Sequence, residues 1–231
     1  MVSPKAVAVS MQRTPSRTRR TIVSVNIGRA ERISFLGRDH LTGICKHPVA
    51  GPVAVHRAGI GDDVVCNQKH HGGPDQAVYI YGAEDYAWWE RELGCRLAPG
   101  AFGENLTVNG LPGNLAVGDR LLIGSTVLEL TAPRIPCAVL SARMQDRNFV
   151  RAFREAARPG AYCRVLNPGE VRAGDPVEWV AAVGPAAGVL ELFEFANGAR
   201  ATPTDVERFL AAPLSARLRR KVEASRRRAG R

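Results

Sequence analysis

The chain lacks any apolar run near the roughly 18 residues that a membrane span needs, and its first apolar stretch, Ala6 to Met11, is short even for a secretory signal core. A membrane protein is therefore not expected, and the chain reads as cytoplasmic. It also lacks the cysteine patterns of small stapled or metal-built domains. Five cysteines (Cys45, Cys66, Cys95, Cys137, Cys163) are an odd number, widely spaced in 231 residues, and they read as reduced thiols. No four-cysteine ferredoxin pattern and no glycine-rich dinucleotide fingerprint is present, so electrons for any redox chemistry must come from elsewhere. Internal repeats are missing too.

Acidic residues are missing from the chain's first 20 positions, which carry Lys5, Arg13, Arg17, Arg19 and Arg20. Residues 217 to 231 carry eight Lys or Arg against Glu223, so the net charge of +10 sits at the ends and about −2 is left between them. A groove-binding domain carries its charge on a folded face, beside aromatics or a recognition helix. Specific nucleic-acid binding is therefore not expected. Residues 1 to 20 read as a disordered basic tail, with weak, salt-sensitive sticking to RNA or DNA as the alternative. The acid-free start also resembles an organellar transit segment, and Met11 is a second candidate start.

From Thr21 onward, short β-branched and apolar runs alternate with Gly, Pro and Asn. Strands are predicted at Thr21 to Ile27, Val53 to His56, Gln76 to Tyr81, Asn105 to Val108, Arg120 to Ile123, Val127 to Thr131, Ala161 to Val165 and Val177 to Val180. This many short strands joined by turns predict a mainly β domain, a barrel or folded sheet over 21–182, rather than an alternating parallel layout. Two helices interrupt it: Ala83 to Leu93, closed by Gly94, and Asn148 to Ala157, capped by Asn148 and ended by Pro159-Gly160. After a boundary near Gly184-Pro185, residues 186–228 read as three short helices. The first is Val189 to Phe195, the second opens on a Thr204/Glu207 capping box, and the third runs from Leu214 through Val222. Helices this short are expected to pack on each other and on the barrel or a second subunit, which admits a homodimer.

Three segments concentrate unusual chemistry. Lys69-His70-His71-Gly72-Gly73-Pro74-Asp75 combines a Gly-Gly pair, whose main-chain N–H groups can converge on an anion, with neighbouring cationic side chains. Taken alone, this segment is better read as a plain turn with a histidine bonded to backbone. Gly103-Glu104-Asn105 enters a strand with an acceptor and an amide suited to a heterocycle edge, though Asn is also an ordinary turn residue. Pro133-Arg134-Ile135-Pro136-Cys137 sets a thiol three residues after an arginine that can stabilise a thiolate or fork onto a phosphate. A lone cysteine is most often a small buried hydrophobe; the stiff prolines and Arg134 shift that balance toward reactivity without reversing it. Zinc on Cys45, His47, Cys66 and His70 or His71 is the weaker alternative, because these spacings match no compact paired-cysteine pattern.

Taken in order, these segments resemble the MOSC domain, named for the C-terminal domain of molybdenum-cofactor sulfurases. The resemblance runs from about Val23 through Thr42-Gly43-Ile44-Cys45-Lys46-His47-Pro48, His71-Gly72-Gly73, Gly103 to Thr107, Pro133 to Cys137, Gly160 to Val165 and Gly174-Asp175. The helical tail is similar to the three-helix extension of the bacterial branch linked to resistance against N-hydroxylated base analogues. The resemblance implies a β-barrel holding a molybdenum–pterin cofactor, with Cys137 as metal ligand or sulfur carrier. It implies His70, His71, Gly72, Gly73, Glu104, Asn105, Arg134 and Arg164 as cofactor-binding, and Cys137 and His71 as catalytic. Pyridoxal phosphate is a further association it carries. Two departures stand out: Ala138-Val139-Leu140 follows the cysteine where many relatives have a large residue and Lys-Leu, and the acidic loop reads Gly61-Asp62-Asp63-Val64-Val65-Cys66.

The activity this implies is a molybdenum-dependent reductase of small N-hydroxylated substrates, fed by an external flavin or iron–sulfur donor. A persulfide carrier on Cys137 is the alternative, and a non-catalytic binding module the third.

Overall fold

The computed structural model describes residues 20–69 and 71–229. The expected N-terminal tail therefore lies, Arg20 apart, outside the described residues. The strands are β1 (Thr21–Gly28), β2 (Glu31–Phe35), β3 (Arg38–Thr42), β4 (Lys46–Pro48), β5 (Val53–His56), β6 (Gly59–Ile60), β7 (Val78–Gly82), β8 (Leu106–Asn109), β9 (Ala116–Val117), β10 (Arg120–Ile123), β11 (Thr126–Pro133), β12 (Ala161–Asn167), β13 (Gly169–Val171), β14 (Glu178–Val180) and β15 (Ala187–Gly188). The helices are α1 (Ala83–Leu93), α2 (Ala138–Met144), α3 (Phe149–Ala156), α4 (Val189–Ala196), α5 (Pro203–Ala211) and α6 (Ala216–Ala229).

Eight strands form one mixed sheet in the order β14-β10-β11-β12-β7-β8-β1-β4. All its pairs are antiparallel except β7 with β8, whose parallel register sets Ile80 opposite Leu106. Central β7 (Val-Tyr-Ile-Tyr-Gly) is buried along its whole length, which explains why its sequence does not alternate.

The closed barrel expected from the sequence is instead an open sheet, since β14 and β4 do not pair. The start of β1 turns toward the segment before β14, where Ile22 N–H donates to the Asp175 carbonyl and Val177 N–H to that of Arg20. Between them Thr21 makes a single bridge to Pro176. The contact stays at this one bridge, so β1 and β14 form no ladder.

Several elements differ from expectation for local reasons. The β2–β3 hairpin turns on Leu36 and Gly37, at φ of 49° and 71°; this left-handed pair is usually marked by Asn-Gly, and leucine hides it. Predicted strand Gln76 to Tyr81 begins only at Val78, because Pro74–Gln76 closes a 3-10 turn. Asn148 precedes α3 without a side-chain cap, and Ala157 in the left-handed conformation ends that helix. The capping box is formed by Thr202 and Asp205, not Thr204 and Glu207. Pro203 explains the shift: proline is favoured at the first helical position, which sets the cap one residue before it. The third C-terminal helix starts at Ala216 rather than Leu214.

The helical extension has no core of its own. Val189, Leu192, Phe195, Val206, Phe209, Leu218 and Val222 join the same buried cluster as sheet residues Leu121, Leu128 and Leu130. A second, aromatic cluster gathers Tyr79, Tyr81, Tyr86, Trp89, Phe102, Phe149, Phe153 and Phe193. Among the described residues no helix is long and apolar enough to cross a membrane.

Candidate functional site

A cavity of about 490 Å³ opens between the β2–β3 hairpin, the loops around Gly43, Val64 and Gly103, and the entry to α2. Its walls include His71, Gly72, Asn105, Arg134 and Cys137, so one chamber collects residues from all three segments singled out in the sequence.

Cys137 lies at the junction of the proline-bearing segment and α2, in extended conformation with φ of −131°. Burial alone would push its thiol up. The hydrogen bond from His71, the charge of Arg134, that of His71 and the Leu140 N–H together outweigh burial and hold it down, at about 7. A thiol in this range is substantially thiolate at neutral pH. Alkylation of Cys137 by iodoacetamide is accordingly expected to rise to half its maximal rate near pH 7. In His71→Ala the midpoint should move upward toward the ordinary thiol range; an unmoved midpoint would disprove the His71 contact.

Arg134 is 3% exposed, yet its Nη1 has no hydrogen-bond partner. Its guanidinium lies over the Phe153 ring, 5.2 Å from the centroid, which fixes the plane of the group from beneath. A buried donor left unpaired is costly, so this group is arranged for an acceptor. Anions with paired oxygens, phosphate above all, match its fork.

Lys46 and Asp63 were not singled out individually as site residues. Both line the cavity, both side chains are buried, and they form an ion pair. Burial lowers the Lys46 pKa against the opposing pull of Asp63. Asp63 also accepts the Gly28 N–H at 2.7 Å. A lysine within the otherwise apolar Ile44-Cys45 stretch was the available signal, but its partner seventeen positions away left no periodicity to read. Tyr79 and Tyr162 complete the aromatic wall, with ring centroids 5.2 Å apart.

Other expected site residues serve the frame. Asn105 faces the cavity, but its Oδ1 accepts the Tyr79 N–H at 3.0 Å and its Nδ2 reaches the Asn26 carbonyl at 3.4 Å, tying β7 to β1. Glu104 lies behind the wall. Its Oε1 accepts from the Tyr86 hydroxyl, the Gly100 N–H and the Thr107 hydroxyl at 2.6, 2.7 and 2.7 Å. Burial raises its pKa despite these bonds. Arg164 lies away from the cavity and pairs with Asp75 and Glu129 at 3.0 and 3.4 Å. Gly73 is not on the wall either; its φ of 83° and ψ of 170° are open essentially to glycine alone. His70 lies outside the described residues.

Among the described residues no group of three or more His, Cys, Asp or Glu could hold a metal, which leaves the zinc alternative without a ligand set there. Cys45 is buried beside Glu31, and burial, followed by the Glu31 hydrogen bond, pushes its thiol up to about 11.

The backbone around the cavity is packed at glycines. A Cβ on Gly28 would strike the Gly43 carbonyl oxygen, and one on Gly43 would strike that of Val64. Val64 N–H in turn donates to the Gly28 carbonyl at 3.0 Å.

Comparison with known proteins agrees with this architecture. The chain is 35% identical over 161 residues to the uncharacterized protein YflK of Bacillus subtilis, covering 69% of this chain and 73% of that protein. A crystal structure of YiiM from Geobacillus stearothermophilus superimposes with a TM-score of 0.74 at 28% identity, covering 89% of this chain and 98% of the other. A protein of Gibberella moniliformis named "Reductase" is 30% identical over 180 residues, which is 75% of this chain and 32% of that longer protein. The MOSC domain profile matches residues 67–178, the stretch carrying His71, Asn105, Arg134 and Cys137. With the fold, the cavity and these likenesses in agreement, the chain belongs to the MOSC domain family.

Proposed function

We propose that this chain is a molybdenum-cofactor-binding reductase that removes oxygen from N-hydroxylated compounds such as hydroxylaminopurines, using electrons from an external flavin or iron–sulfur protein. The observation that carries this reading is the pairing, in one cavity, of a thiol held at about 7 with a buried guanidinium whose Nη1 lacks a partner. The donor set suits the cofactor. Cys137 offers a soft thiolate to the metal, and Arg134 offers its unused fork to a pterin phosphate. Lys46, paired with Asp63, adds a buried polar pair on the same wall. The likeness to a longer protein named a reductase supports the redox class.

When bound, the molybdenum–pterin group supplies two-electron redox chemistry and a site for oxygen transfer. The remaining work falls to the chain. Overall, an N-hydroxylated amine takes up two electrons and two protons and leaves as amine and water, so protons must be delivered inside the cavity. His71, in contact with the Cys137 sulfur, is the residue to hold one at a ring nitrogen. Tyr79, Phe102 and Tyr162 provide apolar faces for a planar base. Asn105, at the entry to β8, links β7 and β1 through their main chains.

The test is direct. Protein purified with its cofactor and supplied with an artificial reductant should convert hydroxylaminopurine to aminopurine; a loaded protein that leaves the substrate untouched would sink the proposal. The same thiol also supports the persulfide alternative, since a thiolate near neutrality takes the outer sulfur of a donor persulfide and releases the donor's thiolate. Labile sulfane sulfur on Cys137 without molybdenum would mark that outcome.

A further inference from the structure

The loop that carries His71 is soft by composition and held from outside. Gly72 and Gly73 take φ of 72° and 83°; a side chain on Gly72 would press on Val65 while one on Gly73 would meet open space, so packing holds the loop on one side only. Among the described residues its internal backbone bonds are His71 N–H to the Asn67 carbonyl and Gln76 N–H to that of Gly73, both at 2.9 Å.

The anchor is the segment Pro213 to Arg217, where the helical extension crosses the loop. Arg217 donates from Nη1 to Gln76 Oε1 at 3.1 Å and from Nη2 to the Lys69 carbonyl at 2.9 Å, spanning the His71 loop at both ends. Ala216 N–H donates to Asp75 Oδ2 at 2.8 Å, while Arg164 holds Oδ1 of the same carboxylate at 3.0 Å and the Pro213 carbonyl at 3.1 Å. This anchor is stiff, because Leu218, the next residue of α6, and Val222, one turn further on, are buried in the main core. Arg217 also acts electrostatically on Tyr162, a residue of the cavity wall.

We propose that Arg217 is a positioning residue for His71, and that the C-terminal extension thereby completes the candidate site. Arg164 belongs to the same joint. The inference deepens the reductase reading, because it concerns the loop that presents His71 to Cys137.

Amide hydrogen exchange on the full chain tests it, read on peptides covering residues 66–77. Arg217→Ala should speed exchange in this loop about 10-fold relative to wild type. Arg217→Lys should restore part of the protection. Arg219→Ala, which removes bonds to the Leu210 and Ala212 carbonyls inside the extension, should leave the loop unchanged. In the reductase assay Arg217→Ala should lower kcat about 10-fold with KM within about two-fold. Unchanged loop exchange in Arg217→Ala, equal loosening in Arg219→Ala, or a loosened loop with unchanged kcat would each overturn the proposal. An inactive, cofactor-loaded wild type would instead remove the reductase reading, and exchange alone would then decide whether the extension sets the loop.

Discussion

Cys137→Ser should strip molybdenum from the freshly purified protein and reduce hydroxylaminopurine turnover to background. Serine keeps the size and the extended backbone of this position, which immediately precedes α2, and it is a favoured residue at such a helix entrance. The variant should therefore fold. What it loses is the thiolate: a hydroxyl has no comparable ionisation near neutrality, and a hard oxygen is a poor substitute for sulfur toward this metal. Losing even an outer-shell partner of a metal ligand typically costs about 10–100-fold in affinity, so removing the ligand itself should exceed that. Metal analysis against wild type purified in parallel reads the result. Wild-type stoichiometry in the serine variant would refute the ligand assignment, whatever happened to activity.

The second large effect is on stability. Phe153 is fully buried and touches more of the aromatic cluster than its single ring would suggest: Trp89, Phe102, Phe149 and Phe193 all have ring centroids within 6.5 Å of it. Phe153→Ala should destabilise the fold by about 3–5 kcal/mol, the usual range for opening a phenylalanine-sized cavity. Urea unfolding measures it. A loss below about 1 kcal/mol would mean that the cluster can collapse around the gap, contrary to its packing. A second consequence separates this ring from its neighbours. Arg134 rests on the Phe153 face, so the variant should also bind inorganic phosphate less tightly under conditions where it remains folded.

Much of this was legible in the sequence, and the omissions have physical causes. The main strands announced themselves through β-branched runs between turn residues, and α1 through its apolar spacing and Gly94. The hairpin β2–β3 did not, because its exposed strands have little apolar pattern and its turn is built on a leucine. Within the site, Cys137, Arg134 and His71 could be found because each sits in a short segment of unusual composition. Lys46 and Asp63 could not be paired in advance, since only the folded chain brings their loops together. Arg164, a conspicuous arginine in a recognisable motif, bonds Asp75 and two carbonyls of the extension, partners that no local pattern announces. Asn105 faces the expected chamber, yet its amide is committed to main chain. Composition announces that a polar side chain has work to do, while the partner it finds depends on tertiary structure.

The glycine contacts at Gly28, Gly43 and Val64 bear on how the cavity can diverge. Here three segments meet main chain to main chain, with no rotamer between them to adjust. Exchanges of side chains elsewhere on the wall can therefore retune which molecules fit while the opening keeps its outline. A methyl group added at Gly43 would do the opposite, wedging the segments apart, changing the outline and straining the bonds that join Gly28 to Val64 and Asp63.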